Sequence, residues 1–112
     1  MTATTEVIDE RALEFKSKIY KVIGDANRIK ILEFLRGGEQ CQCEIIPIIN
    51  QSQPTVSRHL RLLEEAGLIR SRRDGSRTLY TTVDDRVYEI LDSLDIELMS
   101  ILSRELRSRL IS

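Results

Sequence analysis

Several residue types are scarce in this chain of 112 residues, and each scarcity excludes a class of protein or site. Tryptophan is absent and aromatic residues make up 4% of the sequence, so the core has to be built mostly from aliphatic side chains. One histidine, no glycine-rich phosphate loop and no evident pair of nucleophile and base argue against an enzyme. No apolar run approaches the length of a membrane-spanning helix, so we expect no membrane partner.

Composition and the N-terminus indicate one folded, cytoplasmic domain. Hydrophobic residues account for 41% of the chain and charged residues for 31%, which is ordinary for a folded protein and argues against disorder. The first residues, MTATTEVIDERALEF, lack the basic start and apolar stretch of a secretory signal. We therefore expect a single domain over residues 1–112, close to the usual size for one hydrophobic core.

Apolar periodicity predicts two helices in the first third of the chain. One face of residues 7–23 carries apolar side chains at helical spacing, and residues 26–36 are apolar over most of their circumference. The second pattern is typical of a central core helix. Asp25 suits its N-cap, and Gly37-Gly38 should end it. The apolar face of the first helix comprises Ile8, Ala12, Phe15, Ile19, Val22 and Ile23.

Residues 41–66 are predicted to form a helix-turn-helix. The first of its helices spans roughly residues 44–50. Because proline is tolerated only in the first turn of a helix, Pro47 should keep the helix start at Cys43 or later. The second helix follows Ser52, which is a good N-cap.

A β-hairpin is predicted directly after the helix-turn-helix. Strand-like runs at 68–72 and 77–83 flank Asp74-Gly75, a strong signal for a tight turn. A helix-turn-helix followed by a hairpin over residues 68–83 predicts a winged helix-turn-helix, mostly α with a small β-hairpin.

The C-terminal segment, residues 84–112, is predicted to form one long helix with Asp84 as its N-cap. Its apolar stripe is longer than a domain of this size can cover, and the first helix has a similar face. We expect a homodimer formed by the helices of residues 1–23 and 84–112. The alternative is that both helices only cover the core of the monomer.

The second helix of the helix-turn-helix has the side chains that a DNA major groove admits. Its apolar residues point one way, and small, polar and basic residues point the other. Arginine can bind two acceptors of guanine, and glutamine can bind adenine. For the single histidine, packing at the flank of the helix is an alternative to a phosphate contact. The expected DNA contacts are Ser52, Gln53, Thr55, Ser57, Arg58, His59 and Arg61.

Positive charge is concentrated around this helix and the hairpin. Six arginines and three carboxylates between Ser52 and Tyr80 give that segment a net charge of +3, although the whole chain carries −1. Arg72, Arg73 and Arg77 lie near the hairpin tip, where they could bind backbone phosphates or the minor groove. Alternatively, these charges protect a sheet edge from pairing with another strand.

At this point the sequence resembles the ArsR/SmtB family of metal-responsive repressors. The segments that carry the resemblance are IGDANRIKILEFL, CQCEI and SQPTVSRHLRLLEEAGLIRSRRDGSRTLYT, together with the C-terminal helix. The resemblance implies a homodimeric winged-helix protein that blocks transcription until an inducer releases it from operator DNA. It places Gln53, Thr55, Ser57, Arg58 and His59 in the recognition helix, and it implies no cofactor for DNA binding itself.

The resemblance also makes Cys41 and Cys43 candidate metal ligands. Arsenite sensors of the family carry a Cys-x-Cys pair and a third cysteine three positions on, where this chain has Ile46. The family's other common site uses histidine and carboxylates on the C-terminal helix, which here contains no histidine. A zinc site on that helix is therefore not expected.

Geometry supports a shared role for the two cysteines. Residues two apart diverge by about 200° in a helix, whereas they share a face in an extended segment. With Cys41 ahead of the helix, both sulfurs can converge on one soft ion such as arsenite or antimonite. Cys43 near a helix N-terminus should favour the thiolate. Two alternatives stay open: the pair senses oxidation, or the thiols are inert and only pack. A structural disulfide is not expected in the cytoplasm.

Overall fold

Six helices and a three-stranded antiparallel sheet make up residues 9–111, the part of the chain that this computed structural model describes. In chain order the elements are α1 (Glu10–Ile23), α2 (Ala26–Leu35), β1 (Gln40–Cys41), α3 (Gln42–Ile49), α4 (Gln53–Glu65), β2 (Ile69–Asp74), β3 (Arg77–Thr82), α5 (Val87–Asp92) and α6 (Ile96–Ile111). The strand order is β1-β3-β2, so the hairpin is flanked by a strand from the segment that precedes α3.

The core lies where α2, α3, α4 and the base of the sheet meet. Its fully buried side chains are aliphatic, as the scarcity of aromatic residues predicts: Ile31, Leu32, Ile45, Val56, Leu60 and Leu63 are among them. Because α2 contributes three buried residues and α4 four, the helix-turn-helix is held from behind by the central helix.

Local capping follows the sequence closely. The carboxylate of Asp25 accepts hydrogen bonds from the amides of Asn27 and Arg28, at 2.9 and 3.1 Å, and so begins α2 as predicted. The hydroxyl of Ser52 accepts from the amide of Thr55 and begins α4. Asn50 ends α3 in the left-handed conformation, with a φ of 58°. The predicted helix-turn-helix and wing are confirmed.

The start of α3 lies two residues before the predicted residue 44, and one residue before the limit expected from Pro47. The helix begins at Gln42, with Cys41 as its N-cap in an extended conformation. Pro47 therefore lies inside the helix and not in its first turn. The reason is the preceding strand: β1 pairs with β3, with Cys41 opposite Leu79, so the chain turns into the helix as soon as this pairing ends. The sequence pattern did not predict β1, which is two residues long.

The hairpin is also shifted slightly from its predicted position. Asp74 pairs with Arg77, so the two-residue loop is Gly75-Ser76. Gly75 has a φ of 65°, which glycine adopts without steric cost.

The prediction of one long C-terminal helix from Asp84 is wrong. Asp84 binds the amide and guanidinium of Arg86 and does not cap a helix, and the chain forms the short α5 followed by α6. The break has a local cause. The carboxylate of Asp95 accepts from the amide of Leu98 at 2.8 Å, an N-terminal capping contact that starts a new helix.

Apolar side chains remain exposed on α1 and α6. In α1, Ile23 is buried, but Phe15 is 61% exposed; Ile8, predicted for the same face, lies outside the described residues. None of the residues of α6 that the structure describes is buried. The exposed apolar residues of α6 are Ile96, Leu98, Met99, Ile101, Leu102, Leu106, Leu110 and Ile111. No helix within residues 9–111 is long and apolar enough to cross a membrane.

Tyr88 connects α5 to the central helix and offers a test of the packing. Its hydroxyl donates to the carbonyl of Leu32 at 2.7 Å in the core, and the guanidinium of Arg36 lies 4.3 Å from its ring centre. Tyr88→Phe should lower the free energy of unfolding by about 1 kcal/mol, the usual worth of one hydrogen bond, measured by urea denaturation. Tyr20→Phe is the control, since Tyr20 is 60% exposed. Equal stability of the two variants would contradict this role.

Candidate nucleic-acid interface and thiol site

The exposed face of α4 is the candidate DNA-reading surface. Val56, Leu60 and Leu63 anchor the helix in the core, which leaves Gln53, Arg58 and Arg61 exposed. Within residues 9–111, neither arginine is engaged in a hydrogen bond or an ion pair. Their guanidinium groups are therefore available to phosphates or bases without loss of an internal contact.

The small polar residues of α4 already have partners within the protein. The hydroxyl of Ser52 donates to that of Thr55 at 2.9 Å. The hydroxyl of Ser57 accepts a hydrogen bond of 2.8 Å from the side-chain amide of Gln42. Ser57 and Thr55 are half-buried. The predicted DNA contacts thus divide into free arginines and hydroxyl groups with internal partners.

His59 does not lie on the exposed face. It is 5% exposed, and its Nδ1 lies 3.1 Å from the guanidinium of Arg28. Burial lowers the pKa of His59, and the charges of Arg28 and Arg58 lower it further, while Asp25 opposes them. A neutral imidazole can accept from Arg28 at Nδ1. This position supports the packing role of His59, and a contact of His59 with DNA stays a prediction.

The three arginines of the wing are exposed, and all three have internal partners. Arg72 forms two hydrogen bonds of 2.7 Å with the carboxylate of Glu39, which holds the pKa of Glu39 below its ordinary value. Arg73 donates to the hydroxyl of Thr78 at 3.0 Å, and Arg77 lies 3.4 Å from the carboxylate of Asp74. Contacts of these arginines with DNA stay a prediction.

The two cysteines lie together at the junction of β1 and α3. Cys41 is buried, with 2% of its surface exposed, while Cys43 is exposed in the first turn of the helix. The structure joins them in a disulfide, which was not expected from the sequence. The extended conformation predicted for Cys41 is present, and it brings both sulfurs to the same side of the chain.

Glu44 completes this group, and the sequence interpretation had missed it. Its carboxylate accepts from the amide of Cys41 at 3.1 Å, while the sulfur of Cys41 accepts from the amide of Cys43 at 3.1 Å. These bonds form a capping box in which a cysteine takes the usual place of serine or threonine. A glutamate three residues after the N-cap was the available sequence signal.

The donor atoms of Cys41, Cys43 and Glu44 lie within 4.8 Å of one another. Two thiolates select soft ions, and a carboxylate oxygen adds a donor that divalent ions such as zinc accept. Once the sulfurs are reduced, the set therefore fits a thiophilic ion. Ile46, at the position of a third cysteine, is a half-buried aliphatic residue packed against the core.

The carboxylates near the start of α6 have other roles. Asp92 binds the guanidinium of Arg36 at 2.8 and 3.0 Å, which lowers the pKa of Asp92, and Asp95 caps α6. Both carboxylates therefore already have partners within the protein.

Comparison with known proteins agrees with this geometry. Residues 25–71, which include the helix-turn-helix, match the family model described as bacterial regulatory protein, arsR family. An uncharacterised HTH-type transcriptional regulator of Methanocaldococcus jannaschii is 41% identical over 73% of this chain and 93% of that protein. The chain belongs to the ArsR family of DNA-binding transcriptional repressors. The resemblance stated from the sequence is confirmed.

Two further relatives bear on the role and the fold of this ArsR-family protein. The arsenical resistance operon repressor of Staphylococcus aureus is 34% identical over 71% of this chain and 77% of that protein. The solution structure of a homodimeric winged helix-turn-helix domain from Mycobacterium bovis matches the fold of this chain with a TM-score of 0.73. The match is 23% identical and covers 88% of this chain and 94% of that domain.

Proposed function

We propose that this protein is a homodimeric repressor that binds operator DNA and is released by a thiophilic metal or metalloid, arsenite foremost, at Cys41 and Cys43. The observation that carries the proposal is the position of the cysteine pair. It lies at the start of α3, the helix that packs beside the DNA-reading α4. An ion held there acts on the helix-turn-helix directly.

DNA binding is assigned to α4 and the wing together. Arg58 and Arg61 have no internal partner to give up among the described residues, and they lie on the exposed face of a helix whose opposite face is buried. Such a helix, anchored from behind and basic in front, fits a major groove. The wing arginines Arg72, Arg73 and Arg77 supply further positive charge for phosphates.

Dimerisation is assigned to α1 and α6. Both leave large apolar side chains exposed, such as Phe15 at 61% and Leu102 at 52%, and the related M. bovis domain is a homodimer. Pairing of these helices removes apolar surface from water and places two copies of α4 side by side, which suits an operator with two half-sites. Such a repressor acts in the cytoplasm, where cellular reductants keep thiols available for an ion.

Arsenite is favoured because two thiolates form the soft part of the site and the S. aureus relative is an arsenical resistance repressor. The third donor is assigned to Glu44, whose carboxylate is already held beside the sulfurs. Binding requires the reduced pair, because a thiolate and not a disulfide is the ligand.

A redox sensor is the second candidate, and the disulfide between Cys41 and Cys43 favours it. In that reaction a peroxide takes two electrons from the two thiols. One S–S bond forms, the peroxide O–O bond breaks, and the two thiol protons leave in the water produced. The same N-cap of α3 would then be altered by oxidation and not by an ion.

Titration of the protein bound to DNA from upstream of its own gene tests the proposal and separates the two candidates. Arsenite, cadmium, zinc and hydrogen peroxide are added singly to reduced protein, and release is followed by gel shift. Arsenite or cadmium should lower the affinity for the duplex by roughly 5- to 150-fold. Peroxide should leave this affinity unchanged. Release by peroxide alone would favour the redox sensor, and no release by any agent would contradict both.

Glu44→Gln distinguishes the role of the carboxylate within the same titration. The amide oxygen of glutamine can still accept from the amide of Cys41, so the capping box is retained. Loss of the charged donor should weaken the response to cadmium and zinc, which accept oxygen ligands, more than the response to arsenite. An unchanged cadmium response would show that Glu44 is not a ligand.

A further inference from the structure

Gln42 lies between the two cysteines in sequence and connects them to the DNA-reading helix in space. It is the first residue of α3, and its side-chain Nε2 donates to the hydroxyl of Ser57 at 2.8 Å. The two residues are 15 positions apart, and both are half-buried. This bond is a direct side-chain link from the cysteine segment to α4.

Ser57 lies where a hydrogen bond can restrain the orientation of α4. It lies between the buried Val56 and the exposed Arg58 on the N-terminal half of that helix. A hydrogen bond at this point resists rotation of the helix about its own axis and displacement of its first turns. The arginine that follows is one of the two with no internal partner among the described residues.

The surrounding contacts decide which residues move when the cysteine pair changes state. Cys41 is held on both sides: it pairs with Leu79 of β3 through the sheet, and its side chain is buried. Cys43 is exposed. When the two sulfurs rearrange around an ion, Cys43 is therefore expected to move. Gln42, whose backbone joins the two cysteines, should move with it.

A second link leads from the same segment to the wing. Glu39, two residues before Cys41, binds Arg72 through two hydrogen bonds of 2.7 Å. Both β1 and this ion pair attach the segment to the wing. The Gln42–Ser57 bond, in contrast, joins the same segment to α4 through two side chains.

We propose that Gln42 is a positioning residue that couples occupation of the Cys41–Cys43 site to the orientation of α4. Without an ion, its bond to Ser57 holds α4 in the orientation that binds DNA. An ion bound between the two thiolates holds the sulfurs farther apart than the disulfide does. Cys43 then moves and draws the side-chain amide of Gln42 away from Ser57, and α4 is released. The coupling rests on the function proposed above, since it requires an ion at the cysteine pair.

Gln42→Ala and Ser57→Ala test the coupling through a double-mutant cycle. Operator affinity is measured for the reduced proteins by fluorescence anisotropy, without ion and with saturating arsenite or cadmium. In Gln42→Ala, affinity without ion should fall by roughly 2- to 10-fold, the range that one neutral hydrogen bond contributes. The factor by which the ion weakens binding should shrink by a similar amount, and Gln42→Ala should add little in the Ser57→Ala background.

Gln40→Ala is the matched control, because Gln40 flanks Cys41 on its other side and lies in the strand that pairs with Tyr80. Its ion response should equal that of the wild type. If Gln42→Ala does not fold, Gln42→Asn replaces it, since the shorter side chain keeps an amide but loses the reach to α4. Urea denaturation of all variants separates a loss of stability from a loss of coupling.

The outcomes distinguish the two proposals. A wild-type protein that responds to the ion, beside a Gln42→Ala variant with the same ion-dependent factor, would overturn the coupling and leave the proposed function standing. A wild-type protein that neither arsenite nor cadmium releases would overturn the proposed function, and the coupling with it.

Discussion

Replacing both Arg58 and Arg61 by alanine should lower the affinity for operator DNA by roughly two orders of magnitude or more, because each arginine contact with a base is worth about 1–3 kcal/mol. Both side chains are exposed on α4, and neither has a hydrogen bond or ion pair within residues 9–111. Their removal therefore affects the DNA complex and should leave the free energy of unfolding nearly unchanged.

Fluorescence anisotropy with the upstream duplex and with a scrambled duplex, each at two salt concentrations, measures this effect. The variant should lose discrimination between the two duplexes as well as affinity, and the salt dependence of binding should become shallower. Lys30→Ala is the control for loss of one positive charge, since Lys30 is exposed on α2 and outside the proposed interface. Retention of both affinity and selectivity would refute the assignment of α4.

The wing arginines should contribute less than those of α4. Arg72 must give up two hydrogen bonds to Glu39 before it can bind a phosphate with the same groups, and Arg73 and Arg77 also have partners. Part of the binding free energy of any contact with DNA is therefore offset by the loss of an internal hydrogen bond. Arg72→Ala in the same assay provides this comparison.

Cys41→Ser and Cys43→Ser should each abolish release from DNA by the ion while preserving binding without it. A hydroxyl is a poor ligand for a soft ion, so the expected 5- to 150-fold weakening of the wild-type complex should fall to nearly none. Serine at position 41 remains a good N-cap, which keeps the start of α3 intact. Cys43 is exposed, so its substitution leaves the core unchanged.

Gel-shift titrations with arsenite and cadmium, performed with reductant, check this expectation. Wild-type protein that has been oxidised to the Cys41–Cys43 disulfide should behave like the serine variants towards the ions, and added reductant should restore its response. An ion response that survives in both serine variants would place the sensor at another site.

Features that depend on neighbouring residues could be predicted from the sequence. Asp25 and Ser52 cap their helices through amides two or three residues away, and the glycine at position 75 forms the tight turn of the wing. The apolar spacing of Val56, Leu60 and Leu63 determined which side of α4 is buried. These interactions act within one turn of a helix or one hairpin loop, so the pattern of a few adjacent residues is sufficient.

Features that depend on distant residues could not be predicted in this way. The C-terminal apolar stripe continued through positions 84–112, and only the competing contacts of Asp84 and Asp95 divided it into α5 and α6. His59 has the spacing of a flank residue, and in the structure it is buried and in contact with Arg28 of another helix. The apolar periodicity of a helix does not show which residue of another helix will pack against its side.

The sequence by itself determined the helix-turn-helix, its basic outer face, the wing and the presence of a cysteine pair ahead of α3. Only the tertiary structure decided that β1 ties Cys41 to the wing and that Gln42 reaches Ser57, because these partners are separated by 38 and 15 residues and meet only when the helices pack. The physical reason is distance along the chain. Capping and turn contacts form between residues a few positions apart, whereas the cysteine segment meets α4 and the wing only once the core has brought them together.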